Sequence, residues 1–314
     1  EKSGLPLYLG SYPITPATDI LIELAKHKSL GARVFQAEDE IAGICSAIGA
    51  SFAGAMACTS TSGPGLSLKS EAIGLAVMTE LPLVIVDVQR GGPSTGLPTK
   101  TEQSDLTQAL FGRNGEAPCI VVAASSSANC FYWAFEAARL SLETMTPTIL
   151  LTDGYLGNGS QLFRIPKMAD LPKINPPFAT PNDPNYAPYN RDPETLVRQW
   201  AVPGMDGLRH RIGGLEKLSG KGSVSTDSAN HEQMVKYRKE KVERVANRIP
   251  NQEVEGAENA DLLVVGWGGT EGALRCAVQE LQAEGKSIAF TQFNYIMPLP
   301  KNTAEVFEKF DKIL

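Results

Sequence analysis

Residues 55–89 read AMACTSTSGPGLSLKSEAIGLAVMTELPLVIVDVQ, and three pieces are visible in them. AMACTST and LVIVDVQ are short apolar runs that suit strands, and SLKSEAIGLAVMTE between them suits a helix. Apolar strands separated by helices imply a parallel sheet covered on both faces. The rhythm continues outward. LYLG, RVFQA, CIVVAA and TILLTD read as further strands, and DILIELAKHK, EDEIAGICSAIGASFA and NCFYWAFEAARLSLET as further helices. Residues 1–158 are therefore expected to form an α/β domain on a parallel sheet, with ligands bound at the carboxyl ends of its strands.

Beyond residue 158 the pattern changes. Nine prolines fall between Pro166 and Pro203, which predicts an extended, irregular crossing segment. HEQMVKYRKEKVERVANR is a helix charged on most faces, expected to lie across another domain or subunit. Together these make residues 159–256 a crossing segment and helical linker. LLVVGWGG, TEGALRCAVQELQAEG, SIAFTQF and a helix from about 302 then restore the strand–helix rhythm, predicting a second, smaller α/β domain over 257–314. The chain starts on Glu1 and stops on FDKIL, which reads as the start of another strand, so it is expected to be a fragment of a longer polypeptide.

Composition narrows the function. The 314 residues carry 29 basic and 35 acidic side chains, a net charge of −6 that argues against nucleic acid as the main partner. No apolar run has the length of a membrane span, and EKSGLPLYLG lacks the layout of a signal peptide. The five cysteines are odd in number, widely spaced and without a CxxC, which argues against a disulfide framework, a zinc site or an iron–sulfur site within this chain. Most of them sit in apolar runs and read as small core residues of a protein in a reducing cytoplasm. None of the three histidines has a nucleophile beside it in a triad pattern.

Four motifs carry the chemistry. In SYPITPATD (11–19), the prolines make a stiff strand-to-helix corner, with Thr15 expected as helix N-cap and Pro16 at the first helical position. The corner is either a good cap or a device that holds the Thr15 hydroxyl for a ligand. In TSTSGPG (59–65), Gly63, Pro64 and Gly65 allow close backbone approach at a helix N-terminus, or simply a tight turn. QRGGPSTGLPT (89–99) places Arg90 just past the end of LVIVDV, where a guanidinium can fork a carboxylate; so long and stiff a loop favours function over a plain connection. QAEDEIAGICSAIGAS (36–51) opens a helix with Glu38, Asp39 and Glu40, which suit its dipole as first-turn acids. The small residues after Glu40 would also let a ring lie against the helix and desolvate that carboxyl. GWGGTEG (266–272) has the wrong spacing for a dinucleotide fingerprint and reads as a turn packing helix on strand.

Taken together and in this order, SYPITPATD, QAEDEIAGICSAIGAS, TSTSGPG and QRGGPSTGLPTKTEQSDL resemble the α subunit of the 2-oxoacid:ferredoxin oxidoreductases, most closely the 2-oxoglutarate enzymes. The resemblance implies a pyrimidine-type thiamine-diphosphate-binding domain followed by a transketolase-C-terminal-like domain. It implies oxidative decarboxylation of 2-oxoglutarate to succinyl-CoA and CO2, reversible, with electrons passed to ferredoxin. Pyruvate or broad-specificity members share most of the motifs. It further implies a β subunit that holds the diphosphate, Mg2+ and a [4Fe-4S] cluster, with coenzyme A as co-substrate and a γ domain fused ahead of many such chains. TDGYLGN, the nearest approach here to a GDG…N motif, is too short to bind the diphosphate and Mg2+, and no metal site is expected in this chain. Residue by residue, Glu40 corresponds to the glutamate that hydrogen-bonds the aminopyrimidine, with Ser62, Gly63 and Pro64 beside the cofactor. Thr15, Arg90 and Thr99 correspond to groups holding the 2-oxoacid, and Lys100 is placed for a distal carboxylate. HRIGGLEK departs from the family pattern and is given no role. A scaffold that keeps the fold without catalysis is the reading of another class; joint retention of Glu40, Thr15 and Arg90 favours the enzyme. A transketolase-like enzyme would need both cofactor halves.

Overall fold

The computed structural model describes residues 1–314. The first domain runs β1 (Leu7–Ser11), α1 (Thr18–Lys26), β2 (Arg33–Gln36), α2 (Glu40–Phe52), β3 (Met56–Thr61), α3 (Gly63–Leu68), α4 (Ser70–Thr79), β4 (Leu83–Gln89), α5 (Leu106–Phe111), β5 (Ile120–Ala123), α6 (Cys130–Thr144), β6 (Pro147–Asp153) and α7 (Gly154–Asn158). After the crossing segment come α8 (Ser228–Glu243), β7 (Leu262–Trp267), α9 (Glu271–Ala283), β8 (Ile288–Phe293), β9 (Tyr295–Met297) and α10 (Thr303–Glu308). No helix is long and apolar enough to cross a membrane.

The six strands of the first domain form a parallel sheet in the order β2-β1-β3-β4-β6-β5. Successive residues of a strand face opposite sides. Accordingly Leu83 and Ile85 of β4 join Ile44, Ala47, Leu66 and Ile73 on one face, while Val84 joins Leu21, Ala137 and Leu140 on the other. The order brings the carboxyl ends of β1, β3 and β4 side by side, and three of the four motifs follow those ends.

Three features depart from the sequence expectation. The stretch SLKSEAIGLAVMTE does not form one helix: α3 ends at Leu68, and α4 starts at Ser70 after Lys69. Strand β9 is not anticipated by the sequence pattern; it leaves the second domain's segment and adds antiparallel to β5 as the edge of the large sheet. Two of the cysteines, Cys45 and Cys276, are exposed, so the core reading holds for Cys58 and Cys119. The expectation for FDKIL is met: Ile313 bridges Leu263 in parallel alongside the two-stranded β7-β8 sheet.

The polar helix α8 is held mainly by charge. Its buried positions are Met234, Arg238, Lys241 and Val242, at helical spacing. Lys241 Nζ lies 2.8 Å from Glu80 Oε2, and Arg191 of the crossing segment pairs with the other oxygen of that carboxylate. Arg198 Nε donates to the Glu80 backbone carbonyl at 3.1 Å. One buried acid at the end of α4 thus gathers the first domain, the crossing segment and α8. Burial alone would raise the Glu80 carboxyl, but the charges of Lys241 and Arg191 override it and hold it at about 2.

Candidate active site

The corner after β1, the N-terminus of α2, the SGPG turn after β3 and the loop after β4 border one cavity of about 920 Å³. Glu40, Gly63, Pro64 and Arg90 all line it, together with Tyr12, Ser67 and Asp105. Thr15 and Thr99 line a neighbouring cavity of about 570 Å³, with Gly154 and Asn158. Arg90 stands between the two: its Nη1 donates to the Thr15 backbone carbonyl at 2.6 Å.

Thr15 is not the helix cap. α1 starts at Thr18 after Ala17, which makes no side-chain cap, and the Thr18 hydroxyl donates to Ile14 O at 3.0 Å. The helix starts two residues later than the proline rules suggest, which leaves the exposed Thr15 side chain outside it.

Asp39, not Glu40, caps α2, accepting from Ala42 N at 2.7 Å. Glu40 is thereby free of the capping task and half-buried against the cavity. Its backbone carbonyl accepts from Lys69 Nζ at 2.8 Å. Lys69 is fully buried, and burial lowers its ammonium to about 8 against the opposing charge of Glu40.

The SGPG turn is glycine-rich for a local reason. A Cβ on Gly65 would lie 1.9 Å from Thr61 Oγ1 and 3.0 Å from Glu40 Cγ, and one on Gly63 would lie 2.7 Å from Asp105 Oδ1. Gly63 makes room for the Asp105 carboxyl, and Gly65 for the Thr61 hydroxyl and then the Glu40 side chain. Ser62, just before them, is buried with its hydroxyl unpartnered. A half-buried carboxyl, an unpartnered hydroxyl nearby and a cavity wall without side chains fit the edge of a polar heterocycle such as an aminopyrimidine.

Arg90 is 6% exposed, and its Nε has no partner. Its loop is braced internally: Gly91 N donates to Lys100 O and Leu97 N to Gly91 O, each at 2.9 Å, and Gly92 N donates to Glu102 Oε2 at 3.0 Å. Lys100 is exposed and lines neither cavity, although Thr99 and Thr101 on either side of it line the second. Gln103 reaches the second domain, donating to Trp267 O at 3.3 Å, so GWGG packs against the loop. In TDGYLGN, Asp153 caps α7, accepting from Tyr155 N and Leu156 N. No group of three or more His, Cys, Asp or Glu side chains is placed to hold a metal ion.

Sequence reading missed a pair of acids. Asp87 in β4 is fully buried with neither carboxyl oxygen partnered, and Asp105 lines the cavity from the end of the Arg90 loop with one carboxyl oxygen unpartnered. The signal was present as a lone acid in the apolar run LVIVDVQ.

Residues 6–227 match the family described as pyruvate flavodoxin/ferredoxin oxidoreductase, thiamine diP-bdg. The chain is 53% identical over 315 residues to the 2-oxoglutarate oxidoreductase subunit KorA of Mycobacterium tuberculosis, covering all of this chain but 48% of that protein. It is 35% identical over 301 residues to the 2-oxoglutarate synthase subunit KorA of Methanothermobacter thermautotrophicus, covering 96% of this chain and 79% of that one. In structure it is similar to the 2-oxoglutarate:ferredoxin oxidoreductase of Magnetococcus marinus solved with 2-oxoglutarate, coenzyme A and succinyl-CoA, with a TM-score of 0.94 and 38% identity over 99% of this chain and 54% of that chain. The chain therefore spans about half the length of two of these three relatives.

Proposed function

This chain belongs to the family of thiamine-diphosphate-binding pyruvate and 2-oxoacid oxidoreductase subunits, and from that premise we propose that it is the α-subunit portion of a cytoplasmic 2-oxoglutarate:ferredoxin oxidoreductase. The complex converts 2-oxoglutarate and coenzyme A to succinyl-CoA and CO2, reversibly, and passes the electrons to ferredoxin. A β subunit holds the diphosphate, Mg2+ and a [4Fe-4S] cluster.

The observation that carries the reading is the convergence of Glu40, the SGPG turn and Arg90 on one cavity at the carboxyl ends of β1, β3 and β4. Thiamine diphosphate supplies an acidic ring carbon able to add to the carbonyl of a 2-oxoacid. The residues of this chain do the rest on the pyrimidine side. Glu40 holds a hydrogen bond to a ring nitrogen, while Ser62, Gly63 and Pro64 form the wall beside it. Arg90, with unused donors in a nearly dry wall, forks the substrate carboxylate, and Thr15 and Thr99 border the adjoining cavity where the rest of the substrate extends. Lys100, exposed between Thr99 and Thr101 at the edge of that cavity, is the cation offered to a distal carboxylate.

Arg90→Lys and Arg90→Ala test the assignment. Loss of a charge-assisted hydrogen bond of this kind should lower kcat/KM by about 2–3 kcal/mol, with cofactor affinity unchanged. Wild-type kcat/KM in Arg90→Ala would remove Arg90 from the substrate site.

A further inference from the structure

Lys69 is the one residue between α3 and α4, and its side chain is fully buried. A lysine is almost never buried whole unless a counter-charge pairs with it. Lys69 has no such pair: its Nζ donates to a neutral group, the backbone carbonyl of Glu40, at 2.8 Å. Burial lowers its ammonium to about 8, with Glu40, Asp39 and Cys45 pulling it back up, so it is still a cation at neutral pH. A buried cation served by a single carbonyl weakens a fold rather than holding it together. An apolar side chain of similar length would fill the same space without that penalty.

The use of Lys69 lies in what it holds. Its amide donates to Gly65 O at 3.0 Å, so Gly65 and Lys69 stand one turn apart on the same face. A Cβ on Gly65 would lie 3.0 Å from Glu40 Cγ. One face of the α3–α4 stretch therefore meets Glu40 twice, with a bare glycine against its side chain and an ammonium on its backbone. The Asp39 cap engages Ala42 N and does not touch Glu40. Glu40 is the first residue of α2, and helix ends fray. Fixing its carbonyl fixes the Cα from which its side chain reaches the cavity.

We infer that Lys69 is a positioning residue for Glu40, kept in the core against the interest of stability because its bond to the Glu40 carbonyl holds the first turn of α2 in place at the cavity. The inference rests on Glu40 as the group that meets the cofactor ring. Lys69 touches neither cofactor nor substrate, and it acts only through Glu40.

The test is Lys69→Met in the complete complex, read first without cofactor. Amide hydrogen exchange over the first turn of α2 should quicken by roughly tenfold, the worth of one hydrogen bond to a charged donor. The denaturant midpoint should stay level or rise, because a buried charge has gone. With thiamine diphosphate bound, hydrogen–deuterium exchange at its acidic ring carbon should slow by roughly ten- to a hundredfold, the range for a misplaced reacting group, with cofactor affinity and KM unchanged. The double variant Lys69→Met/Glu40→Gln should be no slower than Glu40→Gln alone, because the lysine has no route to the cofactor except Glu40. Unchanged amide exchange in the first turn, or ring-carbon exchange within twofold of wild type, overturns the inference and leaves Glu40 in place. A Lys69→Met complex that fails to fold, or whose midpoint falls, makes Lys69 a structural residue and overturns it too, as does a double variant that adds the two losses. Unchanged ring-carbon exchange in Glu40→Gln removes Glu40 itself and this inference with it, so the two failures are told apart by that variant.

Discussion

Replacing Glu40 by Gln should slow hydrogen–deuterium exchange at the acidic ring carbon of bound thiamine diphosphate by roughly two to four powers of ten, the range for a lost acid–base group. Glu40 is suited to the task by what surrounds it. Asp39 does the capping, Lys69 fixes the Glu40 backbone, and Gly65 clears the space beside its side chain. Gln keeps the shape and some hydrogen bonding but cannot give or take a proton. The cofactor should still bind, because the diphosphate is anchored by the partner subunit in the proposed complex. Glu38 is exposed and two residues away, so Glu38→Gln is the control. Equal exchange in wild type and Glu40→Gln, or a larger loss in Glu38→Gln, would reduce Glu40 to a first-turn helix acid.

The second large effect concerns stability. Glu80→Gln should destabilise the fold by roughly 3–5 kcal/mol, because it leaves Lys241 and Arg191 buried without their counter-charge. The pH dependence has a definite sign. The Glu80 carboxyl is held at about 2, below the ordinary value of 4.5. Its stabilisation is therefore complete above about pH 4.5 and is lost as pH falls toward 2. Denaturant unfolding of wild type and variant from neutral pH to pH 3 should show the gap between them narrowing as pH falls. A gap of less than about 1 kcal/mol at pH 7 would mean that α8 and the crossing segment are held by packing rather than by this acid.

The parallel sheet was legible because each strand and helix carries its own period, and the strand ends fall where the motifs begin. Arg90 and Glu40 were legible as candidates for the same reason: residues just past a strand's carboxyl end face the ligand side of such sheets. What sequence did not show depends on pairing at a distance. The role of Glu80 requires Arg191 and Lys241, 111 and 161 residues further along the chain. Asp87 stands in LVIVDVQ as one more strand residue, and only folding shows it fully buried without a partner. Strand β9 is three residues long, too short to show a period, and its pairing with β5 belongs to the tertiary fold. The Thr15 cap failed because proline spacing locates a corner to within a residue or two, and cap geometry settles the rest.

The central claim is that this chain supplies the pyrimidine-side and carboxylate-binding half of a shared 2-oxoacid site. Its most direct test is coenzyme A-dependent ferredoxin reduction by the complex of this chain with its partner, comparing kcat/KM for 2-oxoglutarate, pyruvate and 2-oxoisovalerate, with the purified chain alone as control. The expected result is a clear preference for 2-oxoglutarate in the complex, and no turnover and no iron in the chain alone. Equal or better use of pyruvate would contradict the substrate, and turnover or stoichiometric iron in the isolated chain would contradict the division of the site between two subunits.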